Sequence, residues 1–137
     1  FDALKFQLGA IMTAHISFSN IDKEIATFSK FWLQDILRNK LGFSGTIFSD
    51  DLSMKGADYI GGIEAKVGKA LESGCNMVLV CNDRPAALKA INFLEKEKIS
   101  QSQKATKLKA SQSIIWADLE KDARRKDIID KLNIIGK

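Results

Sequence analysis

Two adjacent carboxylates, Asp50 and Asp51, follow a short apolar run, Gly45-Thr46-Ile47-Phe48-Ser49, which Gly42-Phe43-Ser44 introduces. In a parallel α/β sheet, ligands are bound and chemistry is done at the carboxyl ends of the strands. An aspartate that a buried strand delivers to that edge can serve as nucleophile, general base or metal ligand. The pair can equally cap a following helix, a common job for Asp at such a turn. Side chains alternate along a strand, so if Ile47 and Ser49 face one layer, Phe48 and Asp50 face the other. One carboxylate then aims at a site while its neighbour holds the turn. The pattern alone does not say which.

Other chemistries find less support. No second cluster of His, Asp or Glu stands at metal-ligand spacing, so neither a metal nor any other cofactor is expected. Gly56, Gly61 and Gly62 match neither the dinucleotide nor the phosphate-loop pattern. Cys75 and Cys81 flank a strand-like run, which puts their backbones about 20 Å apart, beyond disulfide reach. Reduced thiols fit a cytoplasmic protein.

The elements that would carry these residues alternate in the manner of βα units. Strands are expected at Ala10–Ala14, Gly45–Ser49 and Met77–Cys81, parallel to one another. A helix is expected over Thr27–Leu41, where Phe28, Phe31, Trp32, Ile36, Leu37 and Leu41 recur at helical spacing, with Gly42 as its stop. Ile63, Val67, Ala70 and Leu71 mark a second helix closed by Gly74. Asp83 and Pro85 suit the start of a third, Ala86–Lys98. Ser100–Glu120 and Asp122–Leu132 read as two more, the first gaining core contact from Ile114, Ile115, Trp116 and Leu119.

Composition is that of an ordinary globular chain, 45% hydrophobic and 28% charged. No apolar stretch approaches the ~20 residues a membrane helix needs, so no membrane association is expected. Residues 1–95 carry 10 basic against 11 acidic side chains, whereas residues 96–137 carry 11 against 6. Acids interleave with the bases of that tail and no aromatic platform accompanies them. A solvated helical face is the reading, not a nucleic-acid surface.

Gly42-Phe43-Ser44-Gly45-Thr46-Ile47-Phe48-Ser49-Asp50-Asp51-Leu52-Ser53-Met54 resembles the nucleophile segment of bacterial glycoside hydrolase family three, in particular its β-N-acetylhexosaminidases. Ile11-Met12-Thr13-Ala14-His15-Ile16 is similar to the preceding barrel strand of that family. Phe31-Trp32-Leu33, Leu37-Arg38 and Leu41-Gly42-Phe43 are similar to the intervening helix and turn. Ala70 to Asn82 is similar to the next helix end and strand. The likeness runs from about Phe1 to Leu94, with its motifs in order.

The resemblance implies a retaining glycosidase in which an aspartate attacks the anomeric carbon and water later frees the sugar. It picks Asp50 as the catalytic nucleophile and Met54 as part of the sugar-pocket wall. His15 would either bond toward Asp50 or the sugar, or sit as a satisfied core histidine. The family's sugar-gripping Lys-His-x-Pro-Gly-His-Gly segment and its acid/base Asp-x-His loop have no counterpart among these 137 residues, whose only proline is Pro85 and only histidine His15.

The expected fold is therefore a partial (β/α) barrel. Residues 1–98 would form the carboxyl-terminal half of the barrel domain, and residues 99–137 a helical extension. A full barrel takes about 250 residues. The expected partners are a small sugar substrate and either the missing amino-terminal barrel half or a second copy, with coverage by the carboxyl-terminal helices as the other way to shield an open sheet. The implied process is cell-wall sugar recycling, with little activity from this chain alone; the alternative is a non-catalytic remnant kept as an interaction module.

Overall fold

Alternating apolar residues build a three-stranded parallel sheet of order β1-β4-β5, from β1 (Ala10–Met12), β4 (Thr46–Asp51) and β5 (Met77–Leu79). The computed structural model describes residues 4, 6–110 and 115–135. Register pairs Ile11 with Ile47 and Met12 with Phe48 on one side, and Phe48 with Met77 on the other. All three expected strands are present and parallel; β4 runs two residues further than expected, through both aspartates, and β1 and β5 each stop two residues earlier.

Helices α1 (Ile63–Ser73) and α2 (Arg84–Lys96) cover one face of the sheet. Ile47, Val67, Ala70 and Ala90 meet there with Phe28, Leu33, Phe43 and Leu52 in one buried cluster. Gly74 ends α1 with φ at +126°, a conformation that favours glycine, and its N–H closes onto Ala70 and Leu71 carbonyls. Asp83 caps α2, its Oδ1 accepting the Ala86 N–H at 2.9 Å, with Pro85 in the first turn.

The expected helix over Thr27–Leu41 is divided. Ala26–Phe28 form a 3₁₀ turn, Ser29 is extended, and Phe31–Lys40 wind as a π-helix. Ser29 causes the break: its hydroxyl donates to the Asp22 carboxylate and accepts the Trp32 N–H, so it caps the second segment. Thr27 and Phe28 are then wholly buried beside β1. Between β1 and this turn lies a hairpin, β2 (Ser17–Phe18) and β3 (Asp22–Ile25), that the apolar pattern did not reveal.

Arg38 and Asn76 lock the amino-terminal side of the sheet. The guanidinium donates to the carbonyls of Phe43 and Gly45 at 2.7 and 2.6 Å and to Asn76 Oδ1 at 2.7 Å. Asn76 Oδ1 also accepts the Ile47 N–H, at 2.9 Å, and the Asn76 N–H returns to the Ile47 carbonyl at 2.7 Å. A buried main-chain pair is thereby satisfied where β5 has not yet begun.

The tail departs from expectation in its first part. In place of one helix over Ser100–Glu120 it forms α3 (Gln103–Thr106) and α4 (Trp116–Lys121), while the helix expected at Asp122–Leu132 is present as α5 (Ala123–Ile135). The core contact expected from Ile115 and Trp116 is absent, since they are 63% and 71% exposed; Ile114 lies outside the described residues. Six residues of α4 offer too short an apolar stripe to dock. Lys104 donates to the Ser44 carbonyl and Leu108 approaches Gly9, so this segment runs beneath the amino ends of the strands. Among the described residues no tail helix covers Met12, which stays 58% exposed on the sheet face it shares with Met77, so the cover by carboxyl-terminal helices that one alternative expected is not seen there.

Candidate active site at the carboxyl edge of the sheet

Strand β4 delivers Asp50 and Asp51 to one edge, and a register slip separates their roles. Phe48 pairs with Met77 but Asp51 pairs with Leu79, three residues of β4 against two of β5. Such a bulge re-aims side chains and is common beside sites. Ser49 Oγ accepts the Leu79 N–H at 2.9 Å, filling the ladder position that the slip vacates. Its hydroxyl is therefore turned toward β5. The donors on Asp50 are backbone amides.

Asp50 holds two of them. Its Oδ2 accepts the His15 N–H at 3.2 Å and its Oδ1 the Asp51 N–H at 2.8 Å. Its own N–H donates to Thr13 Oγ1 at 3.0 Å. No Lys or Arg bonds this carboxylate among the described residues. The group is half-buried, fixed on its strand, and set by amides alone.

Asp51 is spent on structure. Its Oδ1 accepts the Cys81 N–H at 3.0 Å and the Ser53 N–H at 2.9 Å, and the Ser53 hydroxyl closes onto the same carboxylate. Burial pushes its pKa up, but the amides of Cys81 and Ser53, the Ser53 hydroxyl and the charge of His15 outweigh that and leave it below the ordinary carboxylate value. The carboxylate joins the end of β4 to the end of β5.

His15 sits between these groups. Its ring Nε2 lies 2.9 Å from the Asp51 carbonyl, and a carbonyl only accepts, so Nε2 carries a proton. Nδ1 is buried without a partner among the described residues, and the ring stacks on Phe28 at 5.6 Å. The contact to Asp50 is thus made by the His15 main chain, while the ring supports the turn. Met54 follows on the loop, 46% exposed, its N–H donating to the same Asp51 carbonyl at 3.1 Å. The His15 ring and the Met54 N–H thus meet at the Asp51 carbonyl, and the Asp50 carboxylate takes the Asp51 N–H, so all three are gathered around the main chain of Asp51.

The loop after them is a 3₁₀ helix, Lys55–Ile60, tied down by buried Lys66. The Lys66 amine donates to the Leu52 carbonyl at 3.0 Å and to Asp58 at 2.8 Å. Gly56 passes so near His15 that a Cβ there would stand 2.9 Å from the His15 Cβ. The sequence reading missed Thr13, Ser53 and Lys66. Thr13 stood two residues before His15, but only the register shows that its hydroxyl faces Asp50.

A parallel sheet with helices on one face and an amide-held aspartate at its carboxyl edge is an α/β arrangement, whose ligand sites lie at the carboxyl ends of the strands. The sequence matches the glycosyl hydrolase family 3 N-terminal domain over residues 1–112, and the chain belongs to that family. The β-hexosaminidase of Mannheimia succiniciproducens is 39% identical over 123 residues, 86% of this chain and 35% of the relative. That of Idiomarina loihiensis is 52% identical over 86 residues, 63% of this chain and 26% of the relative. Among solved structures, NagZ from Neisseria gonorrhoeae in complex with N-trifluoroacetyl-D-glucosamine aligns with a TM-score of 0.58 at 38% identity, over 73% of this chain and 27% of that one. The β-N-acetylglucosaminidase of Thermotoga maritima aligns at 0.57 and 31% identity, over 71% and 22%. The chain spans about a third of the length of such relatives. No helix among the described residues is long and apolar enough to cross a membrane.

Proposed function

We propose that this chain is the nucleophile-bearing part of a retaining β-N-acetylhexosaminidase, with Asp50 as the nucleophile. The observation that carries the reading is the division of labour at the strand end. Asp51 is consumed by Ser53 and Cys81, whereas Asp50 is oriented by two backbone amides and engaged by no cation among the described residues. A nucleophile must be ionised and held in line with the anomeric carbon, and amide donors do both without neutralising it. His15 and Met54 would flank the sugar. The N-acylated glucosamine bound by the gonococcal relative supports that substrate class, and cytoplasmic recycling of cell-wall sugars is the process it fits.

The sheet is then a sector of a (β/α)₈ barrel, residues 1–98, with residues 99–137 as a helical extension. Its open face, with Met12 58% exposed, would be covered by an amino-terminal barrel half or by a second copy. These 137 residues contain one histidine, whose ring is already engaged on the Asp51 carbonyl, so they hold no evident acid/base partner. General acid–base assistance contributes about 10²–10⁴-fold. The chain alone is accordingly expected to turn over slowly or not at all.

The test joins the chain to the amino-terminal barrel half of a relative and measures release of a chromogenic N-acetylglucosaminide. Turnover should need both parts, vanish in Asp50→Ala, and persist at a reduced level in Asp51→Ala. A fluorosugar that traps the covalent intermediate should label the peptide containing Asp50. Label on Asp51, or full activity in Asp50→Ala, would overturn the assignment.

A further inference from the structure

The Asp50 N–H is drawn off the β1 ladder by a side-chain hydroxyl. In a regular parallel ladder, the residue that donates its N–H to one carbonyl accepts, with its own carbonyl, the amide two positions further along the partner strand. Thr13 donates to the Phe48 carbonyl at 3.0 Å, so a continued ladder would bring the Asp50 N–H to the Thr13 carbonyl. That N–H goes instead to Thr13 Oγ1, at 3.0 Å. On the other flank, the Leu79 N–H goes to Ser49 Oγ.

Thr13 Oγ1 is itself anchored, 2.9 Å from Thr27 Oγ1. Thr27 is wholly buried, and this is its hydroxyl contact. A buried hydroxyl proton needs an acceptor, so Thr27 is the donor, and Thr13 accepts from Thr27 and from the Asp50 N–H with its two lone pairs. The proton of half-buried Thr13 is then left for the solvent side.

We infer that Thr13, anchored by Thr27, is a positioning residue for Asp50: its hydroxyl draws the Asp50 amide off the ladder and so sets the geometry in which the His15 N–H reaches the Asp50 carboxylate. The inference rests on the reading of Asp50 as nucleophile. Thr13 acts through the main chain of Asp50 and is given no contact with substrate. Its effect belongs to the rate of attack more than to the affinity for sugar, because a misplaced nucleophile loses alignment while the pocket remains.

The test compares Thr13→Val, which keeps the shape and loses the hydroxyl, with Thr13→Ser, which keeps the hydroxyl. In the 137-residue chain, amide hydrogen exchange at Asp50, read by NMR, should be about tenfold faster in Thr13→Val and near wild type in Thr13→Ser, the scale of one lost hydrogen bond. Exchange at Ile47, whose N–H is held by Asn76 Oδ1 at the other end of β4, should stay unchanged and reports that the fold is intact. In the assembly with an amino-terminal half, Thr13→Val should lower kcat by about tenfold or more with KM within about twofold, and Thr13→Ser should restore kcat.

Unchanged Asp50 exchange in Thr13→Val overturns the inference. So does a Thr13→Ser protein as slow as Thr13→Val, or a loss that falls on KM alone. Absence of turnover in the wild-type assembly would count against the proposed function, and the exchange measurement would still decide whether Thr13 holds Asp50.

Discussion

The Asp51 carboxylate accepts the Cys81 backbone N–H at 3.0 Å, across the gap between two strands that a register slip has put out of step. The bond completes at the side-chain level what the main-chain ladder no longer does. It gives the second of two neighbouring aspartates a structural task of its own.

Removing that bond in Asp51→Ala should lower stability by about 0.5–2 kcal/mol, the usual cost of a capping carboxylate. The effect should depend on pH. The folded-state pKa of Asp51 lies below its ordinary value of 3.8, so its contribution is fully present above that value and is lost as pH falls through the lower folded one. Urea unfolding at pH 7 should separate wild type from Asp51→Ala, and the gap should narrow below about pH 3.8. A gap that stays constant across this range would show that the carboxylate's charge is not what holds the turn.

At Gly45, just before β4, the main chain passes close to the segment that leads into β1. A Cβ there would lie 2.6 Å from the Gly9 carbonyl oxygen, 2.8 Å from that of Leu8 and 2.7 Å from the Phe43 ring. Two of these neighbours are backbone and cannot yield cheaply. Gly45→Ala should therefore destabilise by about 1–3 kcal/mol, through the β1–β4 pairing first. Thermal unfolding checks the magnitude, and amide exchange should rise in Ala10–Met12 ahead of Met77–Leu79.

Strand positions and the helix ends at Gly74 and Asp83 were legible because each rests on a local cause: apolar alternation, a positive φ, a side-chain cap. The division of the helix at Ser29 was not, because it depends on the carboxylate of Asp22 in a hairpin whose strands are too short and polar for an apolar pattern. That Asp50 and Asp51 stand at the carboxyl edge of the sheet was legible from the apolar strand that leads into them. Which of them was free was not, since strict alternation assumes an unbroken ladder and here Phe48–Asp51 slips by one residue against β5. The tail misled for a different reason. Ile115 and Trp116 have the composition of core residues, but α4 is too short to present them to the body.

Arg38 should be the most sensitive polar side chain on the far side of the sheet. Its guanidinium serves three acceptors on two segments, and Arg38→Met would leave the Phe43 and Gly45 carbonyls without it and Asn76 with one donor fewer. Hydrogen bonds to a charged group are worth about 1.5–3 kcal/mol each, not additively. A loss of about 2–4 kcal/mol in urea unfolding is expected. Arg38→Lys should recover only part of it, because a single ammonium cannot reproduce the planar fork across separate carbonyls.

Gly56 offers a test of the site's own architecture, because it is where the loop after Asp51 leans on His15. An added Cβ would stand 2.9 Å from the His15 Cβ, and one of the two must move. If His15 yields, its ring leaves the Asp51 carbonyl, and the main chain of Asp51, which also meets Asp50 and Met54, loses one of its ties. Gly56→Ala should therefore cost about 1–3 kcal/mol and alter the imidazole nitrogen NMR signals, which in the wild-type protein should report a protonated Nε2. Gly62→Ala is the control: its nearest contact, Glu64 Oε2 at 3.5 Å, is an ordinary one, and a glycine-to-alanine change at that helix entry should cost less than about 1 kcal/mol. An unaltered ring signal in Gly56→Ala would mean that the loop has moved instead, and that His15 is held by Phe28 and Asp51 more firmly than the 3₁₀ helix holds itself.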